Sequence, residues 1–199
     1  MCNQFKYNIQ KGVTKMSLTI DFNKLSNVPY MRDYAKHPKF QKWVNEYVDF
    51  WSEQTEEGLD SVALIRAIEC TNGCVQYAFR DEEPWALDLE QTRLCMKTSM
   101  TFIKTKKLEL SDGRVIECDP SVIEALNKVR DIYIRGFKQG DEDAMMEFYA
   151  QSLAQFFVLG RDKINAKFDW VDENLNSVFG DLFLRAGRHY VLSYLDALE

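Results

Sequence analysis

Four side chains near the end of the chain have types and spacing that suit acid–base or anion-binding chemistry. At 100° per residue Asp181, Arg185, Arg188 and His189 fall within an arc of about 100°. Asp181 to Arg185 and Arg185 to His189 are both i, i+4 neighbours. Lining a cleft, this stripe would set a guanidinium beside a histidine that titrates near neutrality. On the outside of its helix, the same stripe is a narrow solvent face. Apolar residues such as Phe179, Phe183, Val191 and Leu195 surround it, so the helix is expected to bury most of its circumference or to pair with a second copy.

The cysteines and histidines offer less. Cys2, Cys70, Cys74, Cys95 and Cys118 are irregularly spaced, and Cys70 and Cys74 are one residue too far apart for a redox CxxC pair. A structural zinc site needs a second close pair of ligands, and none is present. A diiron bundle needs Glu-x-x-His on two helices, but Tyr34 precedes His37 and Ala186 precedes His189 at that distance. No metal and no cofactor is therefore expected. No phosphate loop, zinc-protease or nucleophile-elbow motif occurs.

Acidic runs recur in "EQTEEGLD", "RDEEPW", "GDEDAMMEF" and "DWVDEN". At helix ends they complement the macrodipole and are read as solvated charge. Trp85 and Trp170 lie within two of these runs, where a tryptophan either anchors a protein partner or folds back on its own core.

The elements that must position these groups are mostly helical. Phe40, Trp43, Val44, Tyr47, Val48 and Trp51 follow the i, i+3, i+4 rule after Pro38. A helix is expected from an Asp60 or Ser61 cap to a break at "TNG", residues 71–73. "CVQYAFRDEEPW" suits a helix or a strand and loop, and "ALDLEQTRLCMKTSMTFIK" suits a helix whose face is blurred. Asp112-Gly113 predicts a hairpin near 107–118 with both turn residues at positive φ. Asp119 and Pro120 predict the start of a helix carrying Ile123, Leu126, Ile134 and Phe137 on one side. Two more helices follow, one closed by Gly160 and one broken near Gly180 or Gly187. The fold class is mainly α: about six or seven helices in a compact domain with one small hairpin.

The whole chain of 199 residues is 46% hydrophobic and 13% aromatic, with a net charge of −6. It is a globular composition, and the acidic balance disfavours binding driven by nucleic-acid phosphates. No apolar run is long enough to span a bilayer, and residues 1–12 lack the pattern of a signal peptide, so a cytoplasmic location is expected. The codons of Lys11-Gly12-Val13 permit GGAG shortly before that of Met16, the arrangement of a bacterial ribosome-binding site. On that basis residues 1–15 are expected to be an N-terminal extension upstream of the true start, and 16–199 a single helical domain, in a prokaryotic or phage-encoded protein.

These features predict a small acidic protein that binds a protein partner, as an inhibitor or adaptor, without catalysis. The alternatives are an enzyme or small-ligand binder with its cleft at Asp181, Arg185, Arg188 and His189, or a virion or assembly component.

Overall fold

Periodic segments become helices where a side chain supplies a cap. The computed structural model describes the backbone at residues 7–10, 13–16, 20–26, 31–80 and 89–196, and side chains at these positions except 7–10, 13–16, 74–80, 89, 91 and 92. Seven α-helices and two antiparallel hairpins lie within the described residues, so the chain is mainly α. Trp85, Cys2 and the side chain of Cys74 fall outside them.

The first hairpin, β1 (Tyr7–Gln10) and β2 (Val13–Met16), sets Tyr7 opposite Met16. The sequence predicts one hairpin and no element here. Helix α1 (Phe22–Leu25) is a single turn whose first amides are met by the Asp21 carboxylate, which accepts from Asn23 N at 3.0 Å. Helix α2 (Pro38–Ser52) has His37 as its cap, with Nδ1 accepting from Lys39 N at 3.2 Å. Its predicted stripe is buried at Phe40, Val44, Tyr47, Val48 and Trp51, each contributing about 1.5–3 kcal/mol by removal from water.

Helix α3 (Glu56–Arg80) departs from expectation at both ends. Its cap is Thr55, whose Oγ1 accepts from Gly58 N at 3.0 Å, rather than Asp60 or Ser61. It also runs straight through "TNG". Thr71 Oγ1 donates back to Ala67 O at 2.9 Å, and α7 covers this turn. A Cβ at Gly187 of that helix would stand 3.0 Å from the backbone of Thr71. Tertiary packing thus outweighs the turn propensity of Asn-Gly.

Helix α4 (Leu89–Thr105) ends at Lys106, which takes φ of 60° and leads into the second hairpin, β3 (Lys107–Glu109) and β4 (Val115–Glu117). Its turn is longer than the two-residue form expected from Asp112-Gly113. Only Gly113 has positive φ, at 83°, while Gly113 N bonds Leu110 O and Leu110 N bonds Arg114 O. That is a three-residue loop, Ser111 to Gly113, with glycine in the bulge position. Asp112 instead accepts from Arg114 N at 3.0 Å.

Asp119 caps a 3-10 turn at Pro120–Val122 that leads into α5 (Ile123–Tyr133). A π-helical segment, Ile134–Lys138, then continues the same helix. Ala125, Ile132 and Gly136 face inward, while Phe137, expected on the side of the buried Leu126, is exposed.

The Asp141 carboxylate accepts from Ala144 N and starts α6 (Glu142–Phe179). This helix bends at Gly160, whose φ of 71° and ψ of 167° lie in a region open essentially to glycine alone. Gly180, at φ 75°, separates it from α7 (Asp181–Asp196), so the predicted break falls at Gly180 and not at Gly187. Helix α6 is the hub: α2, α3, α4, α5 and α7 all pack on it. One contiguous core runs from Ile20 to Leu195. No described helix is long and apolar enough to cross a membrane.

Candidate functional site

The stripe on α7 is laid out by Gly180, which sets the start of the helix, and by Gly187, which seats it against α3. Phe183, Leu184, Val191, Tyr194 and Leu195 face the core. Asp181, Arg185 and His189 consequently stand on the exposed side, and neither described cavity is lined by them. Arg185 Nη2 pairs with Asp181 at 2.5 Å, with both side chains more than half exposed. Such a pair is worth about 0–1 kcal/mol. Arg188 parts from the other three. It donates to Asn165 O at 2.9 Å, pairs with Asp169 and lies 5.8 Å over the Phe168 ring. The stripe is a solvent face with one structural clamp, rather than the wall of a cleft.

The described residues do hold a groove, between the start of α3 and strand β4. Its outer part, of about 320 Å³, is lined by Glu56, Glu57, Asp60, Ser61, Glu117 and Asp119. Its inner part, of about 220 Å³, shares Asp60, Ser61 and Glu117 and adds apolar walls from Leu64, Phe102, Ile116 and Trp170. The acidic run "TEEGLD" meets residues far along the chain because Ser61 Oγ accepts from Asp119 N at 2.8 Å. Most of the negative charge is already matched. Lys163 pairs with Glu56, Lys167 with Asp60, and Lys107 Nζ with Glu117 at 2.7 Å. Asp119 serves Ser121, whose N–H and hydroxyl both donate to it and hold its carboxyl below the usual range. Trp170 is half-buried against the core at the inner wall, which is the folded-back placement and not an exposed anchor. No group of three or more metal-ligating side chains occurs among the described residues.

The thiols are equally settled. Burial pushes Cys95 up to about 12 and raises Cys118, so both are protonated at neutral pH. No disulfide is formed by the free thiols of Cys70, Cys95 and Cys118.

A third region has no counterpart in the sequence reading. Tyr133 and Phe137 stack at 5.0 Å between ring centroids, and both are more than 40% exposed. Phe148 of α6 meets them at 5.4 and 5.3 Å, and Phe137 also meets Tyr149 edge-on at 5.9 Å. Tyr149 stacks in turn on Tyr34 at 5.6 Å. Five rings therefore form a continuous surface across α6. Beside it Gly136 lets α6 approach: a Cβ there would lie 2.8 Å from Met145 N and Cα. The backbone contact holds Gly136 inward and turns the next residue, Phe137, outward. The signal legible in the sequence is "YIRGFK", aromatic residues flanking a glycine, but only the π register gives it meaning.

Comparison with protein-family models, with curated proteins and with solved structures finds no match for this chain.

Proposed function

We propose that this protein works by binding another protein, as an inhibitor or adaptor without catalysis of its own, and that the Tyr133–Phe137 surface is the contact. The single observation that carries the reading is the pair of stacked rings held outward by the π segment, with Phe148, Tyr149 and Tyr34 continuing the surface. Aromatic residues dominate binding energy at interfaces because a rigid ring buries a large area at little entropic cost. A neutral aromatic surface suits an apolar segment of the partner. The bacterial or phage origin and the cytoplasmic setting belong to the same proposal. The codon pattern permitted before Met16 is the support for that origin.

A photo-crosslinking side chain at position 137, compared with one at 185, tests the proposal in the native host. The expected result is one reproducible, identifiable protein joined at 137 and not at 185, which then binds the purified chain. Equal labelling from both positions, or none at 137, would overturn it.

A further inference from the structure

Helix α4 carries a second surface that neither the aromatic contact nor the packing of the fold explains. Cys95, Ser99 and Phe102 are buried and fix its inner side against α3 and α6. At 100° per residue the opposite side holds Arg93, Lys97, Met100 and Lys104 within an arc of about 60° and a length of about 16 Å. All four are exposed, and Met100, at 64%, is the most exposed large apolar side chain among the described residues.

The charges on this ridge differ from several on α6 and α7. On α6 and α7, Lys163, Lys167 and Arg188 each reach a carboxylate on another helix or half-helix. Among the described residues no carboxylate lies within ion-pair distance of Arg93, Lys97 or Lys104. In a chain of net charge −6, these three cations around one exposed methionine outnumber Glu90, the carboxylate in the first turn of α4, and form a local field of opposite sign among the described residues.

We infer that the outer ridge of α4 docks an acidic amphipathic helix of a partner protein, with carboxylates meeting Arg93, Lys97 and Lys104 and an apolar side chain covering Met100. Charge complementarity selects the sign of the partner. The methionine selects its class, since a thioether between cations is desolvated by an apolar side chain and gains nothing from a phosphate backbone. A lipid surface suits the ridge less well: an interfacial helix needs a wide apolar face outward, and the apolar side of α4 is spent on the core. The inference extends the protein-binding proposal to a second surface and uses no residue of the aromatic contact, so each can fail alone.

The test uses the full chain and two synthetic helical peptides. Each presents three glutamates and one leucine at the spacing of the ridge, one in the order of the chain and one reversed. Binding is followed by anisotropy of a labelled peptide and by backbone amide shifts, with a short duplex DNA and phosphatidylserine vesicles as competing probes. At least one peptide is expected to bind with shifts confined to α4, and to weaken as salt rises. Reversing the three charges, Arg93→Glu with Lys97→Glu and Lys104→Glu, is expected to weaken binding by at least about 100-fold, because like charges then face one another. Met100→Ser is expected to weaken it by about 5- to 10-fold, the loss of one apolar contact. Thermal melts check that both variants keep the fold, and Lys97→Gln with Lys104→Gln provides a milder variant of the same sign. The inference is overturned if neither peptide binds, if binding ignores these substitutions, or if the DNA or the vesicles occupy the ridge in preference to the peptides.

Discussion

The C-terminal helix and the aromatic surface over α5 and α6 both expose residues that attract attention, yet they use them in opposite ways. On α7 the exposed groups are polar and locally satisfied, with Arg185 held by Asp181 and Arg188 by Asp169 and Asn165. On α5 and α6 the exposed groups are rings, in contact with one another but still more than 40% open at Tyr133 and Phe137. Side chains of suitable chemistry make a site only if the backbone leaves them work to do. The α7 stripe follows an ideal helical period and ends as a solvent face. The aromatic surface lies where the helix takes a π segment and meets α6 closely at Gly136.

The largest effect expected from this contrast is at Gly136. Alanine there must push against the Met145 backbone, so Gly136→Ala is expected to cost about 1–3 kcal/mol. At about 2–4 °C per kcal/mol for a chain of this size, the melting temperature should fall visibly. Backbone amide shifts should move along Ile134–Lys138, since the π turn is what the glycine permits. An unchanged melting temperature would mean that the close approach is not needed.

Arg188 comes next. Its pairing with Asp169, its bond to Asn165 O and its contact with Phe168 tie α7 to α6. Arg188→Ala is expected to lower stability by about 1–2 kcal/mol, measured by urea unfolding. A loss confined to partner binding, with stability intact, would show that Arg188 belongs to a site after all.

Arg185→Ala and His189→Ala should change stability by less than about 0.5 kcal/mol each, as exposed substitutions do. A loss of cellular activity from either would restore the cleft reading of α7. Cys95 has no such effect at neutral pH and shows itself only in alkali. Its folded value lies above the unfolded one, so the neutral thiol favours the folded state fully below about pH 9. That contribution is lost as pH rises from 9 toward 12. Cys95→Ala should flatten this part of the stability–pH curve.

The contrast also explains what could be read in advance. The stripe from Phe40 to Trp51 was legible because burial on α2 follows an uninterrupted helical period behind a proline. The start at Asp119 and Pro120 was legible for a local reason, the cap hydrogen bond to Ser121 N. Residues whose fate depends on distant chain were not. Thr71-Asn72-Gly73 resembles a break, and it stays helical because α7 packs over it. A strict 3.6-residue period places Phe137 on the side of Leu126, yet Leu126 is buried and Phe137, within the π segment, is exposed. The groove joins Glu56–Asp60 with Glu117 and Asp119 through a contact spanning more than fifty residues, which no local pattern encodes. On α4, periodicity gave a blurred face because the cationic ridge and the buried side share a helix with Leu94 and Met100 exposed.

The most direct test of the central claim is the affinity of the crosslinked partner, once purified, for the chain with Tyr133→Ala and Phe137→Ala. Both rings are solvent-facing, so the double variant should keep the native circular dichroism and lose little stability. Binding should weaken by about 30-fold or more, the scale of an aromatic hot spot. Affinity unchanged in a folded double variant would contradict the account.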